Sequence, residues 1–118
     1  MDDRSAIEAA AQRFVLAPFR DRFVHEALRK PARLMTRIAH QIDAVFERRF
    51  RGGSTACPAK APCPFFDLTG RRQSTTWGLA MDLVRRGGGG FLLIDASGRS
   101  FFAQAEGEPP PTWYAGDA

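Results

Sequence analysis

Cys57 and Cys63 lie in Ala56-Cys57-Pro58-Ala59-Lys60-Ala61-Pro62-Cys63-Pro64, and His25 and His40 lie well upstream. Thiols and imidazoles are the groups best suited to attack a carbonyl, hold a metal ion or carry a proton. A C-x5-C spacing differs from the C-x2-C and C-x4-C of most zinc sites. Only His25 and His40 are available to complete a tetrahedron, and both fall on expected helices. The sequence therefore assigns no metal site and leaves two states for the thiols: linked as a disulfide, or unlinked in a Pro-rich loop.

Nucleophilic catalysis needs a Ser or Cys beside a base that a carboxylate orients. No G-x-S-x-G is present and neither His sits in a motif. His25 lies near one end of an apolar helix face, and His40 lies on the polar arc of the next helix. Glu106 and Glu108 are close in sequence but belong to a Pro-bounded tail. Phosphate-binding loops place glycine between a strand and a following helix, so that the helix N-terminus faces the anion. Gly87–Gly90 follows a helix and precedes a strand, which reads as a helix C-cap and connector. No catalytic, cofactor-binding or metal-ligating residue is assigned, and no cofactor is expected.

One constellation rises above this background. If residues 31–50 form one helix, Arg33, Arg37, Arg48 and Arg51 fall on a narrow arc opposite its apolar face. Arg29 and Lys30 precede it, and Arg71, Arg72, Arg85 and Arg86 follow as pairs. Such a stripe can neutralise phosphates. His40, Glu47 and Asp43 dilute it, and no helix-turn-helix, RRM or KH signature accompanies it. Nucleic acid therefore ranks behind a protein partner.

The elements that position these residues follow from periodicity. Ser5 and Glu8 form a capping box ahead of Ile7, Ala10, Ala11, Phe14 and Val15. Pro18 breaks or kinks that helix. A second runs over about 19–29, with Phe19, Phe23 and Ala27 on one face. Pro31 opens a third, over about 31–50, whose face is Leu34, Met35, Ile38, Ala39, Ile42, Val45, Phe46 and Phe50. Residues 52–64 form a Pro/Gly/Ala loop. Phe65–Leu68 reads as a short strand and Thr69-Gly70 as a turn. Ser74 caps a helix over 75–86 with Trp77, Ala80, Met81 and Val84 on one face. Residues 91–95 and 99–105 form a hairpin, in which Asp95 accepts a hydrogen bond from the backbone two residues on and Gly98 takes positive φ.

The order α-α-α-β-α-β-β implies an α+β fold: a helical N-terminal half, then a small, mainly antiparallel sheet with a C-terminal hairpin. Parallel and antiparallel pairing of the 65–68 strand both remain open. The chain reads as one domain, with a helical part at 1–51, a sheet part at 65–105 and an acidic, Pro-rich tail at 106–118. Three strands leave an edge unpaired at 99–105, where Arg99, Phe101 and Phe102 form a candidate interface. Either the N-terminal helices and the Trp113-Tyr114 tail cover it or a second copy does, and the reading leans towards a homodimer.

Composition bounds the class. The 118 residues are 44% hydrophobic and 25% charged, as in ordinary soluble domains. No run approaches the roughly 20 apolar residues of a membrane span, and Met1-Asp2-Asp3-Arg4 does not read as a signal peptide. A bacterial-type cytoplasm is expected, where a cysteine pair is usually reduced. The net charge of +4 divides into a basic body over 1–99 and a last stretch, 100–118, that holds acids and no bases.

Arg29-Lys30-Pro31-Ala32-Arg33, the stretch from Phe91 to Phe102, and Ala105-Glu106-Gly107-Glu108 followed by Trp113-Tyr114 carry a resemblance. The chain resembles a group of small bacterial α+β proteins of unknown function. The resemblance spans most of the chain in short elements and implies the architecture alone. The first functional reading is a small, non-enzymatic interaction or regulatory protein acting through its basic helix face, its Pro-rich loop and its hairpin edge, on a partner of unknown identity. The second is a nucleic-acid-associated protein using the Arg stripe. The third is a small enzyme whose site is not recognisable from sequence.

Overall fold

Ile7, Ala10, Ala11 and Phe14 recur at helical spacing, and with Ala6 they are the buried residues of α1 (Asp3–Phe14). They are seen in a computed structural model that describes residues 3–66, 70–86, 89–107 and 111–118. Ser5 lies inside the first turn of α1 rather than at its cap, and the Asp3 carboxylate stands at the start, where the helix dipole favours it. Pro18 sits in a 3-10 turn (Ala17–Phe19) that leads into α2 (Arg20–Arg29), and Pro31 occupies the first turn of α3 (Pro31–Gln41).

The expected helix over 31–50 ends at Gln41. Two 3-10 turns follow, Ile42–Ala44 and Arg48–Phe50, with an extended stretch between them. The cause is tertiary. Phe46 bridges Val15, the Leu16 N–H donates to the Val45 carbonyl (3.0 Å), and the Glu47 N–H donates to the Phe14 carbonyl (2.8 Å). Backbone bonds to the end of α1 replace those of a continued helix. Ile42, Val45 and Phe46 still reach the core, by a different path.

The sheet has five strands, all antiparallel, in the order β2-β1-β3-β4-β5: β1 (Pro62–Phe66), β2 (Arg72–Thr76), β3 (Phe91–Ile94), β4 (Ser100–Gln104) and β5 (Trp113–Asp117). The expected 65–68 strand is thus shifted to 62–66, with antiparallel pairing, and Asp67, Leu68 and Thr69 lie outside the described residues. Two strands are new. β2 holds Ser74, which therefore does not cap α4 (Trp77–Arg86). β5 occupies part of the expected tail. Gly87 and Gly88 of the glycine connector, and residues 108–110 of the Pro run, also lie outside the described residues.

Among the described residues β1 meets β3 through the pairs Phe65–Leu93 and Phe66–Leu92. The Pro62 carbonyl accepts from the Ala96 N–H, so that side of β1 faces β3, and there Pro62 and Pro64 have no N–H to donate. The β1-β2 hairpin joins the β3-β4-β5 meander through β1. The β3-β4 turn forms as its residues dictate: the Ser97 N–H donates to Asp95 Oδ2 (3.3 Å), the Ser100 N–H to Oδ1 (2.7 Å), and Gly98 has φ +71°. A Cβ at Gly98 would stand 2.6 Å from the Ala9 methyl, so this glycine also permits the turn to dock on α1.

Alternation along the strands divides the apolar residues between two faces. Leu92, Ile94, Phe101, Ala103 and Tyr114 pack against α1, α2 and α3. The Phe14 ring stacks on Phe101 with centroids 4.3 Å apart, and Phe46 and Phe50 adjoin them. Each such buried ring contributes about 2–3 kcal/mol. On the opposite face Cys63, Leu93, Trp77, Ala80 and Val84 form a smaller cluster under α4.

Candidate functional site

The smaller face is incompletely covered. α4 lies over β1, β2 and β3, while Phe102 of β4 and Ala115 of β5 floor a groove of about 750 Å³ beside it. One wall is α4, with Trp77, Gly78, Leu79, Met81, Asp82 and Arg85. The other is the loop 53–60, with Thr55, Cys57, Ala59 and Lys60. The Pro-rich loop of the sequence is therefore a wall of this groove.

That wall is fixed to β5. The Gly52 N–H donates to the Trp113 carbonyl (2.8 Å), and Trp113 Nε1–H donates to the Gly53 carbonyl (2.9 Å). A Cβ at Gly53 would stand 2.2 Å from the Ala115 carbonyl oxygen, so only glycine permits this approach. The Asp117 carboxylate accepts from the Thr55 and Ser100 hydroxyls and from the Ala56 N–H (2.9 Å). Burial raises the Asp117 pKa, but these three donors outweigh it and hold the carboxyl below its ordinary value. At the other end, the Ala61 and Ala59 carbonyls accept from the Trp77 and Gly78 N–H groups (both 2.9 Å). These are donors at the N-terminus of α4 that would otherwise have no intrahelical partner, so this helix end is already occupied.

The groove is apolar with a charged rim. Leu79 is 59% exposed, and Leu83, one turn further on, is 42% exposed. Arg85 donates to Asp82 (3.3 Å) across one turn of α4. Lys60 has no ion pair among the described residues. Two cations and one anion thus surround an apolar floor.

Cys57 lines the groove, and Cys63 belongs to the smaller cluster under α4. Both are unlinked. Burial pushes the Cys57 thiol up to about 11, helped by Asp95, and burial pushes the Cys63 thiol up to about 12. At neutral pH neither presents an appreciable thiolate, the nucleophilic form. Among the described residues no cluster of His, Cys, Asp and Glu is suited to hold a metal ion, and no helix is long and apolar enough to cross a membrane. His25 lines a polar cleft between α1 and α2 with Glu8, Asp21, Arg20 and Arg29. His40 is exposed, 3.9 Å from Glu106.

The residues singled out by the sequence are dispersed. Arg33 and Arg37 lie on α3; Arg48 opens a 3-10 turn and Arg51 follows it, so the four share no helix face. Arg37 is committed to the buried Glu26 (Nε–Oε1 3.0 Å) and lies over the Phe19 ring. Arg51 stands 3.9 Å from Asp43, whose Oδ1 also accepts from the Tyr114 hydroxyl. Arg33 and Arg48 are exposed, without an ion pair among the described residues.

β4 is not an edge. β5 pairs along its whole length, from Ser100–Asp117 to Gln104–Trp113. Of the candidate interface, Phe101 is buried in the larger core, Phe102 floors the groove and Arg99 is exposed. Lys60, Asp82 and the exposed leucines went unassigned in the sequence reading. Leu79 and Leu83 lie outside the Trp77/Ala80/Val84 arc, and two leucines off the buried face of a short helix are the signal that marks this wall. Comparison of the chain with protein-family models, curated proteins and solved structures finds no match.

Proposed function

We propose that this protein is a small, non-enzymatic binding protein and that the groove between α4 and the loop 53–60 is its binding surface. The observation that carries the reading is Leu79, a leucine 59% exposed on the rim of an apolar concavity of about 750 Å³. Concave, mostly apolar surfaces of roughly 300–1,000 Å³ with a few polar groups are where small ligands bind. The wall opposite α4 is held to β5 by four hydrogen bonds before any ligand arrives, so binding costs little ordering of that loop. The reading also places the protein in a cytoplasm, where thiols such as Cys57 and Cys63 stay reduced.

A fragment screen followed by 15N–1H correlation spectra tests this. Hits should cluster on the amides of Gly78, Leu79 and Ala115, and Leu79→Glu should abolish them while leaving the spectrum folded. Hits that gather instead in the polar cleft between α1 and α2 would overturn the reading.

A further inference from the structure

Resting on the groove as the binding surface, we infer that its ligand is a small amphiphile with an apolar chain and a single negative charge, the charge held at Lys60. The apolar half of the match is the floor and helix wall: Phe102 and Met81 are half-buried, and Leu79 projects at the rim. The charged half is the rim itself. Lys60 has no ion pair among the described residues, whereas Arg85 shares its charge with Asp82 at 3.3 Å. A bound anion would therefore gain most at Lys60, where it displaces no existing partner.

The same charges argue against other occupants. A second copy of a chain with net charge +4 would bring a like rim of two cations and one anion against this one. A cationic amphiphile would meet Lys60 with no carboxylate on the loop side. Asp117, which accepts from Thr55 and Ala56 of the loop, is already filled by three donors.

The test titrates the full chain with decanoate and, separately, with decyltrimethylammonium, both below their aggregation thresholds, and follows the Gly78, Leu79 and Ala115 amides. Decanoate should shift them saturably, and decyltrimethylammonium should bind at least fivefold more weakly. Lys60→Glu should weaken decanoate about fivefold or more, and 0.5 M salt should weaken it too, the size expected of one exposed charge contact. Asp82→Asn should tighten it, because the only carboxylate among the described rim residues is removed. All these side chains are exposed, so the variants are expected to fold, and thermal melts check this. Equal binding of the cation and the anion overturns the charge assignment and leaves the groove as the binding surface. Fragments that bind there when neither amphiphile does overturn the ligand class. If neither fragments nor amphiphiles move these amides, both readings fall.

Discussion

The Arg37 guanidinium on α3 closes on the Glu26 carboxylate on α2, Nε to Oε1 3.0 Å, with the Phe19 ring 5.5 Å from the cation. Glu26 is 3% exposed. A buried carboxylate is tolerated when a partner supplies donors, and removing that partner leaves an uncompensated charge. The pair fastens α2 to α3 on the helical side of the sheet.

Arg37→Ala should therefore destabilise the fold by about 2–3 kcal/mol, less than a fully buried pair because Arg37 is partly solvated. The double variant Glu26→Gln, Arg37→Met should recover most of that loss. Urea unfolding of the three proteins measures it. A change below about 0.5 kcal/mol in Arg37→Ala would return Arg37 to the surface role that its position on a basic helix implies.

Cys57 should resist alkylation. At about 11 against an ordinary 9.0, its thiolate population at pH 7.5 is about a hundredth of that of an unburied thiol. Iodoacetamide labelling should be slower than for a model thiol by about that factor and should accelerate on unfolding in urea. Because both thiols titrate higher in the folded state, the folded protein holds more protons between the two values. Stability should be full below pH 9 and fall as pH rises from 9 towards 12, and Cys57→Ala with Cys63→Ala should flatten that decline. Labelling at the model rate would contradict the burial.

Phe102→Lys separates an edge from a covered face. On an exposed 99–105 edge, the new charge would break a dimer. With β5 paired to β4, it instead places an ammonium beside Met81 and Trp77. The expected result is an unchanged sedimentation coefficient at about 100 micromolar and a loss of about 1–3 kcal/mol in stability. A shift from dimer to monomer would restore the interface reading.

The parts of this fold that sequence reveals are those decided by local chemistry. Asp95 and Gly98 specify their turn through side-chain acceptance and positive φ, and no distant residue is needed. The buried faces of α1 and α4 follow from spacing alone. The end of α3 does not, because Gln41-Ile42-Asp43-Ala44 contains no breaker; the helix stops where the backbone of Phe14 and Leu16 offers bonds to Val45 and Glu47. β2 is a polar run, Arg-Gln-Ser-Thr-Thr, without the alternation that marks a half-buried strand. β5 is concealed by the prolines before it, although Tyr114 and Ala115 are buried. The groove is a product of these omissions. Its floor needs β5 and its wall needs the loop fixed to Asp117; the Pro-rich loop and Phe102 are legible as surface candidates, but their meeting in one groove is not.

Asp117 links that wall to the sheet, and its removal should loosen one without dissolving the other. Its carboxylate is the common acceptor for Thr55, Ala56 and Ser100, so Asp117→Ala leaves two hydroxyls and one N–H without their partner. Thr55 and Ala56 lie near the surface, where water can replace the carboxylate, whereas Ser100 is buried, so the global cost should be about 1–2 kcal/mol. The local cost should be larger: hydrogen exchange at Ala56 and Cys57 should accelerate at least tenfold, while the Leu92 and Leu93 amides in β3 keep their protection. The carboxyl titrates below its ordinary value in the folded state, so its contribution is complete above pH 3.8 and is lost as pH falls below it. Acidification of the unmodified protein should therefore release the same two amides before the sheet opens. If Ala56 and Cys57 exchange together with β3 in both experiments, the loop is held by something other than Asp117, and the groove has no wall that can loosen on its own.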